Sequence, residues 1–301
     1  MIYQDPLAYL LGLEGLALLR SYAGDYDREF CAARIDEIRR LLDHPALQGK
    51  AVPANRVDTV DGYRVWSQTY DDPGNGIFAV EEPFVYEILD DLPIGVALDA
   101  ACGTGRHAAH LRAFGHQVIG IDSSTEMLAR ARERVPLADL RMGDLSELPI
   151  PDDHVDIVVC ALALTHLPEL APAFAEFARV LRPGGHLVIS DVHQATVALG
   201  SVPRIRTDDG EPRLLPAYRH LASDYLDAAL PLGLQVRRCI EPRGPATGEV
   251  PPSPDDIVLG EWDVWPWSLL ELIPAAARAG FDGTPATIIR HFQLDDPAVA
   301  R

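Results

Sequence analysis

A chain of 301 residues with 48% hydrophobic content is long enough to bury a large core, as one large domain or as a core with an added cap. Lys and Arg total 26 against 45 Asp and Glu, a formal net charge of -19, which repels a phosphate backbone and supplies no basic stripe, arguing against nucleic acid as a partner. Cys31, Cys102, Cys160 and Cys239 stand far apart with no C-x-x-C pair, so no zinc site or disulfide framework is expected, and a reducing cytoplasm suits them. Residues 7–42 read as two helices broken around Gly24, the second placing Phe30, Ile35, Ile38 and Leu42 at near-helical spacing. The first, "PLAYLLGLEGLALLR", has no basic segment before it, is interrupted by Glu14 and is too short to span a bilayer, so it reads as a packing helix. Residues 43–62 are polar with scattered Pro, Gly and Asn and read as a linker, which gives an N-terminal helical cap and linker over 1–62 and a second domain over 63–301. The aromatic stretch "GYRVWSQTY" then leads into a turn-rich DDPGNG and a helix over 82–91. From there short apolar runs at 95–101, 117–121, 138–142, 155–161 and 186–191 alternate with helical stretches at 104–114, 124–134 and 169–181, the pattern of βαβ units in an α/β fold with a parallel sheet. Residues 242–254 form a Pro/Gly loop, and 234–240 and 286–294 read as strands around a helix ending near Gly280. The cluster Trp262, Trp265 and Trp267 before that helix reads as packing or a dimer surface.

The stretch "LDAACGTGRHAAH" (98–110) runs from an apolar strand into two close glycines and a helix start. Gly103 and Gly105 lack a Cβ, so the backbone can turn sharply and approach a ligand while the helix offers free N–H groups. Gly103 to Ala108 also matches the dinucleotide fingerprint G-x-G-x-x-A, with Asp122 at a distance suited to a ribose hydroxyl. The glycines alone do not choose between a nicotinamide cofactor and another nucleoside.

The residues around them resemble the class I S-adenosylmethionine-dependent methyltransferases, small-molecule enzymes of the type 11 kind. "VALDAACGTG" resembles the family's first motif, with Asp99 at the acidic position facing the amino-acid end of the ligand and Ala101 where the fuller pattern has a glycine; the residues equally allow Asp99 to be a buried carboxylate that holds the turn amides, and the two roles are compatible. "VIGIDSSTEMLARARE" puts Asp122 where the family binds the ribose diol, followed by Ser123 and Met127, and "MGDL" puts Asp144 at the adenine amino group between Gly143 and Leu145. "PDDHVDIVVCALALTHL", with Cys160 on the cofactor side, and "ARVLRPGGHLVIS" look like the fourth strand and the helix, turn and fifth strand of the family. The resemblance implies a Rossmann-like, doubly wound seven-stranded sheet with its last strand antiparallel. It also implies a cofactor half over 82–192, a substrate-shaping insertion over 193–222 and C-terminal strands and helix over 223–301. It brings Trp66 and Tyr70 near the methionine moiety, where aromatic faces suit a sulfonium.

Methyl transfer from a sulfonium needs a nucleophile held in line and, for a hydroxyl or protonated amine, a base at the carboxyl ends of the strands. His166 after the fourth strand and His193 after the fifth are the candidate bases, with Tyr218 and His220 as substrate-shaping residues. The expected protein is a cytoplasmic S-adenosylmethionine-dependent enzyme, monomer or homodimer, with no metal. It methylates an oxygen or nitrogen of a small-molecule acceptor, as in bacterial specialised metabolism by analogy. An NAD(P)-dependent oxidoreductase, and an S-adenosylmethionine-binding protein with a regulatory or non-methylating role, remain as alternatives.

Overall fold

The computed structural model describes residues 1–72, 75–243, 249–296 and 298, so parts of the DDPGNG turn and of the Pro/Gly loop at 242–254 lie outside the described residues. Seven strands form one sheet: β1 (Val96–Ala100), β2 (Gln117–Asp122), β3 (Asp139–Met142), β4 (Val155–Ala161), β5 (Leu181–Val192), β6 (Leu234–Ile240) and β7 (Thr287–Leu294). Their order is β6-β7-β5-β4-β1-β2-β3, and β7 is antiparallel to both its neighbours while β5-β4-β1-β2-β3 is parallel throughout. Side chains alternate across the sheet. Leu98, Ile121, Val158, Phe174, Phe177 and Phe292 pack in one core, and Ala97, Val118, Ile157, Val159, Val188 and Ile289 in another. Among the described residues the helices that accompany the sheet include α1 (Thr59–Trp66), α2 (Ile77–Asp90), α3 (Arg106–Ala113), α4 (Thr125–Arg134), α5 (Ala171–Val180) and α6 (Ala222–Ala229), besides the short Gln194–Ala198. β5 begins earlier than expected, because Leu181 pairs with Val155 and His186 with Ile157, leaving "RPGG" as an irregularity at which Gly184 takes φ 80°. These elements belong to a compact unit of residues 58–199, 215–242 and 286–301.

A second unit comprises 1–57, 200–214 and 243–285. Its first helix, Pro6–Ala23, starts on Asp5, whose carboxylate accepts from Leu7 N–H at 2.9 Å, and stops at Gly24 with φ 101°. Leu10, Leu13 and Ala17 on one face are buried with Trp262, Trp265 and Leu269. Inside it Glu14, fully buried, lies 3.0 Å from Arg34, and burial pushes the Glu14 carboxyl up to about 7 against the pull of that guanidinium. The expected division at residue 62 is corrected here. Residues 43–62 are not a bare linker, since Val52–Arg56 is a strand and α1 begins at Thr59. The expected insertion at 193–222 is split: Arg204–Arg206 and Pro212–Leu214 form a hairpin in a four-stranded sheet with Ile2–Gln4 and Val52–Arg56, whereas 215–222 belongs to the first unit. The reason is that strand pairing, not chain order, groups these short segments. Among the described residues no helix is long and apolar enough to cross a membrane.

Candidate functional site

After β1 the chain takes left-handed conformations at Ala101 (φ 59°), Gly103 (φ 52°) and Gly105 (φ 82°) before α3 begins. Two strand-end carboxylates hold this turn. Asp99, 1% exposed, accepts from Ala108 N–H at 2.8 Å and so ties down the first turn of α3. Burial pushes its carboxyl up to about 6. Asp122, at the end of β2, accepts from Gly103 N–H at 2.8 Å on one oxygen and from Ser124 N–H at 2.8 Å on the other. It is not the cap of α4, because Ser124 is: its Oγ accepts from Met127 N–H at 3.3 Å. Burial raises the Asp122 carboxyl, and the backbone N–H groups oppose that rise.

Beside the turn opens a cleft. Ala101, Gly103, Asp122, Ser123 and Met127 line it from the turn and α4, and Gly143, Asp144 and Leu145 from the loop after β3. An added Cβ on Gly103 would meet nothing within 4 Å, so its backbone is open to whatever occupies the cleft. Asp144 is exposed and accepts from Ser146 N–H at 2.8 Å. Tyr70 lines the cleft, and its phenol is pushed up to about 12 by burial. Trp66 does not line the cleft and meets Tyr70 edge-on, with ring centroids 5.2 Å apart.

On the side of β4, His166 lines the cleft from the turn Leu164–His166. Its Nδ1 is 2.6 Å from the carbonyl oxygen of Pro216, which can only accept, so Nδ1 carries the proton and donates. Nε2 is then the acceptor for the Tyr63 hydroxyl at 2.8 Å. Burial holds the His166 imidazole below its ordinary value, with the Pro216 carbonyl pulling the other way. Tyr63 lies on α1 and lines the cleft with Thr59, one turn earlier. Burial, then the neighbouring Tyr70, Asp122 and Asp191, keep its phenol protonated well above the usual range.

Residues 98–189 match the family model of the methyltransferase domain, from β1 through β5. Residues 98–189 therefore carry a methyltransferase domain of the kind found in S-adenosylmethionine-dependent methyltransferases. The cofactor of that family is S-adenosylmethionine. The methyltransferase domain is similar to the malonyl-[acyl-carrier protein] O-methyltransferase of Yersinia pestis, 40% identical over 110 residues, 36% of this chain and 39% of that protein. It is also similar to the enzyme of that name from Pectobacterium atrosepticum, 37% identical over 136 residues, 44% of this chain and 51% of that protein. The chain thus matches between 39% and 51% of the length of these curated relatives. Among solved structures, a chain of the complex between the Haloferax volcanii Trm112 methyltransferase activator and a methyltransferase has a TM-score of 0.57 at 19% identity, covering 78% of this chain and 97% of that chain. A DhpI–SAH complex has a TM-score of 0.51 at 20% identity, covering 77% and 93%. These likenesses establish the fold.

The expected site residues divide into two groups. Ala101, Gly103, Asp122, Ser123, Met127, Gly143, Asp144 and Leu145 meet in one cleft with Tyr70 and His166. Asp99, Gly105, Cys160 and Trp66 do not line it. Asp99 is turned to the helix amides, and Cys160 is fully buried in the sheet core, where burial raises its thiol well above the usual range. His193 is also corrected: it caps the short helix Gln194–Ala198, its Nδ1 accepting from Ala195 N–H at 3.1 Å, and it lines a separate small cavity with His220, Glu241 and Arg290. His220 Nε2 donates to the Leu167 carbonyl at 2.8 Å, and Tyr218 N–H donates to the Thr165 carbonyl at 2.7 Å. These two therefore fix residues 215–221 along the edge of the β4 turn rather than lining the cleft. Sequence reasoning missed Thr59, Tyr63 and Leu162, which do line it. It also missed a buried network behind the turn, where fully buried Glu81 on α2 accepts from Ser190 Oγ at 2.6 Å and lies 3.1 Å from His107 and 3.3 Å from Arg106. Burial alone would raise the Glu81 carboxyl, but His107, Arg106 and Ser190 outweigh it and hold it at about 2.

Proposed function

We propose that the protein transfers the methyl group of S-adenosylmethionine to an oxygen or nitrogen of a small-molecule acceptor. The observation that carries this reading is the Asp122 carboxylate, which lines the cleft while each oxygen already takes one backbone N–H. Each oxygen keeps a lone pair, and a pair of ribose hydroxyls is the donor set that matches them. Apolar Ile121, Met127 and Leu145 suit a flat base, and Asp144 beside them suits its amino group. The Tyr70 ring offers a face to a sulfonium. The bound cofactor supplies an electrophilic methyl on that sulfonium. The chain has to hold the acceptor in line and take up its proton, and neutral His166 is the group in the cleft suited to the second task. The oxidoreductase alternative fits less well, since among the described residues the sheet beyond β5 holds the pair β6 and β7, with β7 antiparallel, in place of a second parallel half.

The test is incubation with methyl-labelled S-adenosylmethionine and a panel of small hydroxyl and amine compounds. Label is expected in an acceptor, with S-adenosylhomocysteine formed in equal amount. Tight S-adenosylmethionine binding with no label moved to any acceptor would contradict the enzyme reading in favour of a regulatory one.

A further inference from the structure

We propose that Tyr63 is the catalytic group that meets the acceptor's attacking atom and passes its proton to His166, so that the acceptor is a hydroxyl or amine and not a carboxylate. The inference rests on the methyltransferase reading above and narrows its acceptor class. Three groups form a chain with one possible polarity. The Pro216 carbonyl fixes the proton on Nδ1 of His166, which leaves Nε2 as a lone pair, and the Tyr63 hydroxyl at 2.8 Å points its hydrogen there. The phenol oxygen keeps its own lone pairs for a donor in the cleft that it lines. As the methyl carbon bonds to the acceptor oxygen or nitrogen, the carbon–sulfur electron pair stays on sulfur. The acceptor's proton moves to Tyr63 Oη while the phenol's original proton moves to Nε2. The products are a methylated acceptor, a neutral thioether and an imidazolium whose Nδ1–H still donates to Pro216. Tyr63 ends as it began.

The relay has no task if the attacking group is a carboxylate, which carries no proton at neutral pH. Nor does the cleft suit one. Among the described residues lining it there is no lysine or arginine, whereas Asp122 and Asp144 are both there. A carboxylate would enter beside two acidic side chains and find no cationic side chain to pair with, leaving the cofactor's sulfonium as its one counter-charge, which is consumed as the methyl moves. The malonyl-[acyl-carrier protein] relatives match this chain over at most 51% of their own length, so their acceptor does not carry over with the match.

Two readouts on the full chain test the proposal, with S-adenosylhomocysteine bound as the probe. In the first, nitrogen NMR of the His166 imidazole is expected to show Nδ1 protonated and Nε2 unprotonated at pH 7. The Nε2 signal should move towards that of a free lone pair in Tyr63→Phe. A protonated Nε2, a doubly protonated ring at pH 7, or no response to Tyr63→Phe would overturn the relay. In the second, methyl transfer to phenol and amine probes is compared with transfer to a malonyl thioester. Tyr63→Phe and His166→Gln should each lower kcat on the order of 10²–10⁴-fold with little change in KM. The wild-type rate should fall only as pH drops below the ordinary imidazole range. Transfer to the malonyl thioester that is indifferent to Tyr63→Phe would overturn the acceptor class, and where no probe turns over the imidazole signals decide. Retained S-adenosylhomocysteine binding with a failed relay leaves the methyltransferase reading standing, whereas loss of that binding in the wild type removes the reading itself.

Discussion

Ala101 holds a backbone conformation that alanine rarely adopts, at the position where the family pattern has glycine. Leu162, with φ 56°, is a second non-glycine residue in that region, and both line the cleft, so strain collects at the site. A left-handed alanine costs about 1–2 kcal/mol, while glycine adds roughly 0.5–1 kcal/mol of unfolded-chain entropy. Ala101→Gly is therefore expected to stabilise the protein by about 0.5–1 kcal/mol in urea unfolding, and a loss of stability would show that the turn is not strained there. At this scale the sequence was legible where function is bound to a strand end: Asp122 and Asp144 reach the cleft because strands stop beneath them. His166 was named from its place after the fourth strand, but Tyr63 was not, because the two lie 103 residues apart and only the folded chain reveals their pairing. For Asp99 the sequence left two roles open, and the structure shows the one in which its carboxylate accepts from the Ala108 amide.

Among the elements, α1 matters most to the relay because it carries Tyr63. Asp58 caps it, accepting from Asp61 N–H at 2.9 Å. Gly62 in its middle lets it approach the segment that holds His166, since an added Cβ would lie 2.7 Å from the Leu215 side chain, one residue before Pro216. Asp58→Ala should cost about 1 kcal/mol in urea unfolding and blunt the response of the His166 imidazole signals to Tyr63. An unchanged unfolding curve would mean that the cap does not hold α1. The strands β1 to β5 and helices α3 to α5 were legible because apolar runs alternate with amphipathic stretches at the periods the two structures demand. α1 was hidden by its central glycine and its polar residues. Val52–Arg56 was hidden because "VPANR" has no strand pattern and becomes one through pairing with Ile2–Gln4 and Pro212–Leu214.

For the whole molecule, the methyltransferase domain accounts for the region where the sequence motifs are densest. The segments 200–214 and 243–285 join residues 1–57 through contacts far apart in sequence, which no reading in chain order captures. The central claim is that the cleft beside Asp122 takes an S-adenosyl ligand. Calorimetric titration of the full chain with S-adenosylhomocysteine and, in parallel, NADH tests it most directly. S-adenosylhomocysteine should bind one to one and NADH should not, and Asp122→Ala should weaken binding on the order of 10- to 100-fold, the value of hydrogen bonds to a charged group. Binding of NADH in place of S-adenosylhomocysteine, or S-adenosylhomocysteine binding that Asp122→Ala leaves unchanged, would contradict it.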